Sequence, residues 1–130
     1  MVVLSLAVYV TGVQEVKSAK GTARMLLFSG SCSGDYFQGV IDPGGVDTQF
    51  VDTEGKGTLS ARYSLSGTDS TGNPAHLFIE NNARFGEETH PCIWTDSPCL
   101  AFLETTPLVG HIQKELDHLR ITIETIDEMQ

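Results

Sequence analysis

Three charged residues that strand pairing could bring together are the strongest chemical signal in the sequence. Asp47, Arg62 and Glu80 lie on three successive runs of strand-like sequence. If the turn after the first run closes a two- or four-residue loop, Arg62 faces Asp47 or Gln49. In the next hairpin Arg62 lies opposite Glu80 and diagonal to Asn82, about 5 to 8 Å away. We therefore predict a ligand-binding site made of Asp47, Arg62, Glu80 and Asn82.

These residue types suit two different functions. A small barrel that places a few polar groups among apolar ones can bind a small apolar or cationic molecule in or at its mouth. Alternatively, Asp47 or Glu80 could be a general base while Arg62 or Tyr63 stabilises negative charge. The first interpretation predicts a binding protein, and the second a cofactor-free acid–base enzyme of the isomerase or cyclase type.

A second placement of the same residues leaves no site. A three-residue loop would put Tyr63 where Arg62 otherwise stands, because a slip of one residue exchanges the two faces of a strand. A separate alternative places Arg62 and its partners on a solvated outer face or in a subunit contact. The opposite face of these strands carries apolar residues that are typical of a core: Phe50, Leu59, Ala61, Tyr63, Leu65, Leu77 and Ile79. The residue pattern allows both placements.

The cysteines and histidines predict neither a metal site nor a cysteine nucleophile. The chain has three cysteines, Cys32, Cys92 and Cys99, and no Cys-x-x-Cys pair. The spacing of His90, Cys92 and Cys99 matches no zinc module. An odd number of cysteines at wide spacing also argues against a secreted disulfide framework. No glycine-rich phosphate-binding motif stands between a strand and a helix, so we expect no cofactor.

The elements that would position these residues are strands. Runs of β-branched and aromatic residues alternate with turn residues roughly every ten positions. Strands are predicted at residues 2–10, 22–29, 35–41, 46–53, 57–66, 75–84, 100–105 and 119–126, and around Trp94. A polar connection is expected at 14–21. Residues 110–119 predict either a helical turn or a longer hairpin arm.

So many short strands with hairpin spacing indicate a sandwich or a closed barrel. Closure removes sheet edges, and the long strand at 57–66 suits one that curls across a barrel. We predict an all-β fold: a single, antiparallel, mostly up-and-down β-barrel of the lipocalin-like kind. It spans residues 1–130 as one domain and contains at most one short helical turn.

The middle of the chain resembles an uncharacterised family, the domain-of-unknown-function family 3237. The matching blocks are Gly44-Gly45-Val46-Asp47, Leu59-Ser60-Ala61-Arg62-Tyr63, Asp69 and Leu77-Phe78-Ile79-Glu80-Asn81. The resemblance implies a small calycin-like β-barrel. It implies no chemistry, because the function of the family is unknown.

Charge limits the partners. The formal net charge is −9, with only eight Lys and Arg residues spread over the chain. Phosphate backbones and anionic membranes are bound by clustered basic residues, so we expect neither partner. The apolar start at residues 1–10 lacks a basic segment and a cleavage site, which makes the cytoplasm the expected location. A small-molecule ligand is the partner we expect, and a homo-oligomer is left open.

Overall fold

The computed structural model describes residues 1–126, which form nine strands and one 3₁₀ helix. The four residues after Ile126 lie outside the described part. The strands are β1 (Val2–Ser18), β2 (Gly21–Ser33), β3 (Phe37–Ile41), β4 (Gly45–Asp52), β5 (Gly57–Asp69), β6 (Pro74–Arg84), β7 (Cys92–Thr95), β8 (Leu108–Lys114) and β9 (Leu119–Thr125). The 3₁₀ helix runs over Pro98–Glu104. The predicted all-β fold is confirmed.

The strands form one antiparallel sheet that closes on itself. The order is β7-β6-β5-β3-β2-β1-β9-β8, and β4 pairs with β2 and β5 beside β3. A bridge between Thr89 and Gly110 joins the segment after β6 to β8. The architecture is therefore the predicted β-barrel, which has no free edge where this bridge closes it.

Two local predictions are wrong. Residues 14–21 are not a connection, because β1 and β2 continue as a hairpin until Ser18 pairs with Gly21. Polar side chains are compatible with that hairpin since one face of each strand meets solvent. Residues 100–105 form the 3₁₀ helix instead of a strand. Pro98 fixes a helical φ at its start, and Leu100 and Leu103 share one buried face at a spacing of three.

The predicted alternatives for residues 110–119 are resolved in favour of the hairpin arm. β8 pairs with β9 from Leu108 opposite Thr125 to Lys114 opposite Leu119. The segment is therefore a strand hairpin and not a helix, and Leu116 at its tip is fully exposed.

The barrel has two unlike halves. In the half that we call the closed half, β7, β8 and β9 complete the wall around a core of buried apolar side chains. The most deeply buried of these side chains include Leu4, Leu6, Phe37, Leu65, Leu77, Ile79, Leu100, Leu103 and Ile123. In the other half, two strands extend beyond their neighbours. β1 pairs with β9 only as far as Val8, and β6 pairs with β7 only as far as Glu80.

We call this second half the trough. Its wall consists of the long β1–β2 hairpin, the β4–β5 hairpin and the end of β6. Within residues 1–126 no strand bridges the gap between residues 10–18 of β1 and 81–84 of β6. Its interior is therefore reached by solvent, whereas the closed half is filled by buried apolar side chains.

The part of the chain that the structure describes contains no helix of the length and apolar character needed to cross a membrane.

Candidate functional site

The turn between β4 and β5 decides which residues face the barrel interior. The backbone N–H of Asp52 donates to the carbonyl of Lys56 (2.8 Å), which leaves a three-residue loop, and Gly55 takes φ +84°. Val46 therefore pairs with Arg62, and Asp47 with Ala61. Since neighbouring residues of a strand point to opposite faces, Asp47 points inward and Arg62 outward. The prediction that Arg62 faces Asp47 or Gln49 is wrong.

The predicted pairing of Arg62 with Glu80 is confirmed, on the outer face. The two residues are opposite each other, and Arg62 Nε donates to Glu80 Oε2 at 2.8 Å. The Arg62 side chain is 61% exposed. Asn82, the next outward residue of β6, is exposed as well. An ion pair this exposed to solvent contributes about 0 to 1 kcal/mol to the stability of the fold. Arg62, Glu80 and Asn82 therefore form a solvated surface.

The inward-facing residues form layers, because paired strands align their side chains across the sheet. The layer at the boundary with the closed half contains Phe28, Gly45, Tyr63 and Ile79. The next layer toward the trough opening contains Leu26, Asp47, Ala61 and Asn81. The third contains Glu15, Arg24, Gln49, Leu59 and Ala83.

The second and third layers hold a group of polar side chains that we call the polar cluster: Glu15, Arg24, Asp47, Gln49 and Asn81. Arg24 lies diagonal to Asp47 across the β2–β4 pair, a separation of about 7 to 8 Å between backbones that an arginine side chain can span. Arg24 Nη1 is 3.7 Å from Glu15 Oε2, and both side chains are about one-third exposed. Arg24 thus lies between two carboxylates at the solvent-facing side of the cluster.

Three buried atoms of the polar cluster have no hydrogen-bond partner: Arg24 Nε, Asp47 Oδ1 and Asn81 Oδ1. Residues 1–126 contain one further buried side-chain atom of this kind, His118 Nε2. An unpaired buried polar atom costs about 1 to 3 kcal/mol, and folded proteins leave few of them. Their concentration in two adjacent layers marks the cluster as unusual and leaves its atoms available to a ligand.

Asp47 is the titrating group of the cluster. Its Oδ2 accepts a hydrogen bond from Gln49 Nε2 at 2.9 Å. Burial raises the pKa of the Asp47 carboxyl above its ordinary value, although the Gln49 hydrogen bond, the nearby backbone N–H of Ser60 and the positive charge of Arg24 oppose the rise. The Ser60 N–H does not reach hydrogen-bond geometry with Oδ1, which therefore stays without a partner. A buried carboxylate with an elevated pKa and one free oxygen can accept a proton or a hydrogen bond from a bound molecule.

Apolar groups surround the cluster. Tyr63 is buried beneath it, and its ring packs edge-on against Phe28 with 5.2 Å between centroids. Burial also raises the pKa of the Tyr63 hydroxyl, which keeps this residue neutral. Ala61, between Asp47 and Asn81, contributes only a methyl group at this level.

A cavity of about 970 Å³ lies at the mouth of the trough. It is formed by the tips of both hairpins and by the segment that follows β6, including Phe85. Thr22 and Val51 line it, and these are the next inward residues along their strands from Arg24 and Gln49. The polar cluster therefore lies one layer deeper than the cavity wall.

The cysteines are dispersed. Cys32 is buried in the closed half, where burial raises the pKa of its thiol to about 12, while Cys92 and Cys99 are exposed. In residues 1–126 no three His, Cys, Asp or Glu side chains are arranged to hold a metal ion. That the protein binds no metal stays a prediction.

Three residues of the polar cluster were not predicted from the sequence: Glu15, Arg24 and Asn81. Glu15 was hidden because residues 14–21 were assigned to a connection. Arg24 carries no sequence signal, since the outward residues beside it, Ala23 and Met25, are apolar while Arg24 itself is charged. Asn81 was displaced by the single-residue slip that brought its neighbour Asn82 into the predicted site.

The fold and the trough define a small antiparallel β-barrel with a closed core and a polar, solvent-accessible interior at one end. The chain belongs to the family described as protein of unknown function (DUF3237), which it matches over residues 2–90. The predicted family resemblance is confirmed.

Relatives show the same fold. A UPF0311 protein of Clostridium acetobutylicum is 45% identical over 56 residues, which are 43% of this chain and 33% of that protein, so the match spans a third of the relative. A crystal structure of a Clostridium acetobutylicum protein of unknown function has a TM-score of 0.79 at 25% identity, covering 95% of this chain and 93% of that one.

Two more distant structures show the fold alone. A β-barrel-like protein of Acinetobacter baumannii AYE has a TM-score of 0.78 at 20% identity, with 95% and 92% of the two chains covered. A protein of Penicillium herquei described as an enzyme has a TM-score of 0.75 at 17% identity, again with 95% and 92% covered.

Proposed function

We propose that the protein binds a small molecule in the trough through Arg24, Asp47 and Asn81. The observation that carries the proposal is the presence of three buried polar atoms without partners in two adjacent interior layers. A ligand that donates to the two oxygens and accepts from Arg24 Nε would pair with groups that no protein group pairs. Such groups give a bound molecule specific points of attachment.

The surroundings are those of a ligand pocket. The neighbouring cavity, whose lining does not include Arg24, Asp47 or Asn81, has a volume of about 970 Å³, at the upper end of the range of roughly 300 to 1,000 Å³ for small-molecule sites. Half-buried apolar side chains, Leu26 and Leu59, flank the polar cluster and can pack against the body of a ligand. A few polar groups among apolar walls fix the orientation of a ligand and confer specificity.

The proposed site keeps one of the four residues predicted from sequence. Asp47 remains in it, while Arg62, Glu80 and Asn82 belong to the outer face and leave it. Arg24 replaces Arg62 as the cation, and Asn81 replaces its neighbour. The chemistry expected from the sequence, a carboxylate beside an arginine, is thus retained in the interior with a different arginine.

A thermal-shift screen of small neutral and anionic compounds tests the proposal. We expect a subset to raise the melting temperature of the wild-type protein, and we expect Asp47→Asn and Arg24→Met to abolish the shift. Arg62→Met is the matched control, since it removes an arginine of the outer face and should leave every shift unchanged. Hits that lose their shift in the Arg62→Met variant but not in Arg24→Met would contradict the interior site.

A second function, acid–base catalysis without a cofactor, is favoured by one observation: burial raises the pKa of Asp47 beside the cation Arg24. Carboxylates whose pKa is shifted toward neutrality are characteristic of general bases. The structurally similar protein of Penicillium herquei described as an enzyme is compatible with catalysis on this fold, but at 17% identity it supports the fold only.

We also propose a cytoplasmic location and no nucleic-acid partner. All three cysteines are unpaired, as expected of a protein from a reducing compartment. The net charge of −9 opposes binding to phosphate backbones, and gel-shift titration at physiological salt should show none.

A further inference from the structure

The unpartnered atoms of the polar cluster differ in kind. Asp47 Oδ1 and Asn81 Oδ1 are hydrogen-bond acceptors, whereas Arg24 Nε is a donor. Asp47 and Asn81 stand on either side of Ala61, with about 10 Å between the backbones of their strands. Arg24 lies one layer nearer the mouth. A molecule that satisfies all three must accept a hydrogen bond at one atom and present hydrogen atoms to the two acceptors.

We propose that the ligand is an enolisable ketone on an apolar body, and that Asp47 and Arg24 interconvert it with its enol form. This inference rests on the proposed binding site in the trough. Arg24 donates to the carbonyl oxygen, and Asp47 faces the hydrogen of the neighbouring carbon. Asn81 accepts a polar hydrogen from those ketones that carry a second polar group, and Leu26 and Leu59 contact the apolar part.

The chemical step needs no other reactant. The Asp47 carboxylate takes the hydrogen of the carbon next to the carbonyl as a proton, so the C–H bond breaks and an O–H bond forms on Asp47. The electron pair of the broken bond moves onto the carbonyl oxygen, which becomes an enolate oxygen. Return of the proton to that oxygen gives the enol, and return to carbon gives the ketone. Nothing is oxidised or reduced.

The surroundings of both residues suit these roles. Gln49 holds Oδ2 of Asp47 at 2.9 Å and leaves Oδ1 free, which fixes the direction in which the carboxylate can act. Burial makes Asp47 a stronger base than a carboxylate in water. The Arg24 guanidinium can stabilise the enolate oxygen in a partly water-excluded site, where such stabilisation is effective.

The outer ion pair lacks these properties. Arg62 and Glu80 satisfy each other at 2.8 Å, and Arg62 is largely exposed. Water surrounds any molecule bound there, and the Arg62 Nε that the proposal would need is already donating. The pair is therefore a natural internal control, because it also combines an arginine with a carboxylate in the same protein.

Two probes test the ligand class and the reaction separately. 2-Tetralone is an enolisable ketone, and 2-naphthol has the planar shape and the hydroxyl group of its enol. Because catalytic sites bind the species along the reaction path more tightly than the substrate, 2-naphthol should bind at least about tenfold more tightly than 2-tetralone. Calorimetric titration measures both, and Asp47→Asn should remove the preference.

Deuterium exchange measures the proton transfer itself. With 2-tetralone in deuterated buffer, proton NMR should show exchange next to the carbonyl well above the buffer rate. Asp47→Asn should lower the enzyme-dependent rate by about 100-fold or more, and Arg24→Met by about tenfold to 1,000-fold. Asp47→Glu should recover part of the rate. Arg62→Met, the matched control, should exchange like wild type, and circular dichroism should show all variants folded.

The outcomes distinguish this inference from the proposed function. Binding of 2-naphthol that depends on Asp47, without exchange of 2-tetralone above the buffer rate, would overturn the reaction and leave the binding site. If other compounds stabilise the protein through Asp47 but neither probe binds, the ligand class is wrong. If no compound binds through Asp47 or Arg24, the proposed function fails together with the inference.

Discussion

The two halves of the barrel share the long strands β1, β2, β5 and β6 but differ in how their buried polar groups are hydrogen-bonded. In the closed half, Asp69 is buried at the end of β5, where its carboxylate accepts hydrogen bonds from Thr71, Asn73 and Ser97. In the trough, Asp47 near the middle of β4 keeps one buried oxygen without a partner. The difference indicates that stability resides in the closed half, whereas the trough tolerates unfavourable contacts that a function can use.

The largest expected effect is on stability, and it comes from the closed half. Leu77 is fully buried, so Leu77→Ala should lower the free energy of unfolding by about 2 to 5 kcal/mol through lost burial and a new cavity. Leu59→Ala, at a half-buried position of the trough, is the matched control and should cost clearly less. Urea denaturation measures both, and equal losses would remove the distinction between the halves.

The next effect concerns Asp69 and is pH-dependent. Hydrogen bonds from Thr71 and Ser97 hold the pKa of its carboxyl at about 2, below the ordinary value. The carboxylate therefore stabilises the fold above its unfolded-state pKa of roughly 4, and this stabilisation is lost as the pH falls through about 2. Asp69→Asn should lower the melting temperature at pH 7, with a difference from wild type that shrinks between pH 4 and pH 2. A difference independent of pH would contradict this assignment.

A smaller loss is expected on the outer face. Arg62→Met removes an exposed ion pair with Glu80 and should cost under about 1 kcal/mol in urea denaturation. A loss of 3 kcal/mol or more is the value for breaking a buried pair, and it would mean that Arg62 is not on the surface.

The fold was largely predictable from the sequence because the alternation of inward and outward residues identifies each strand locally. Leu65, Leu77 and Ile79 were assigned to the core from period-two spacing, and all three are buried. Phe50 was assigned to the same face and is instead 59% exposed, since it lies on the outer side of β4. The cause is the turn at Gly55, where a sequence compatible with two, three or four loop residues adopts three.

The candidate site was less predictable for the same reason. A difference of one residue in that loop exchanged Arg62 for Ala61 opposite Asp47, so one arginine left the site. Arg24 entered it from β2, a strand that pairs with β4 although β3 lies between them in sequence. Turn residues do not determine such a non-sequential pairing, which depends on the packing of the whole barrel.

The smallest expected change in stability is a gain instead of a loss, and it comes from substituting Asp47. Burial raises the pKa of its carboxyl, so the folded state binds this proton more tightly than the unfolded chain does. The contribution of Asp47 to stability therefore falls as the pH rises from its unfolded-state value, roughly 4, through the raised value. At pH 7 the buried charge is a cost, although solvent access to the trough keeps that cost small.

Asp47→Asn should accordingly raise the free energy of unfolding by up to about 0.5 kcal/mol at pH 7 and leave it unchanged below pH 4. The comparison requires wild type and variant to be unfolded by urea at both pH values, without ligand. The same substitution should abolish binding in the trough, and the joint result separates a functional carboxylate from a structural one. Destabilisation at pH 7, as expected for Asp69→Asn, would show that Asp47 supports the fold and would make the two halves alike.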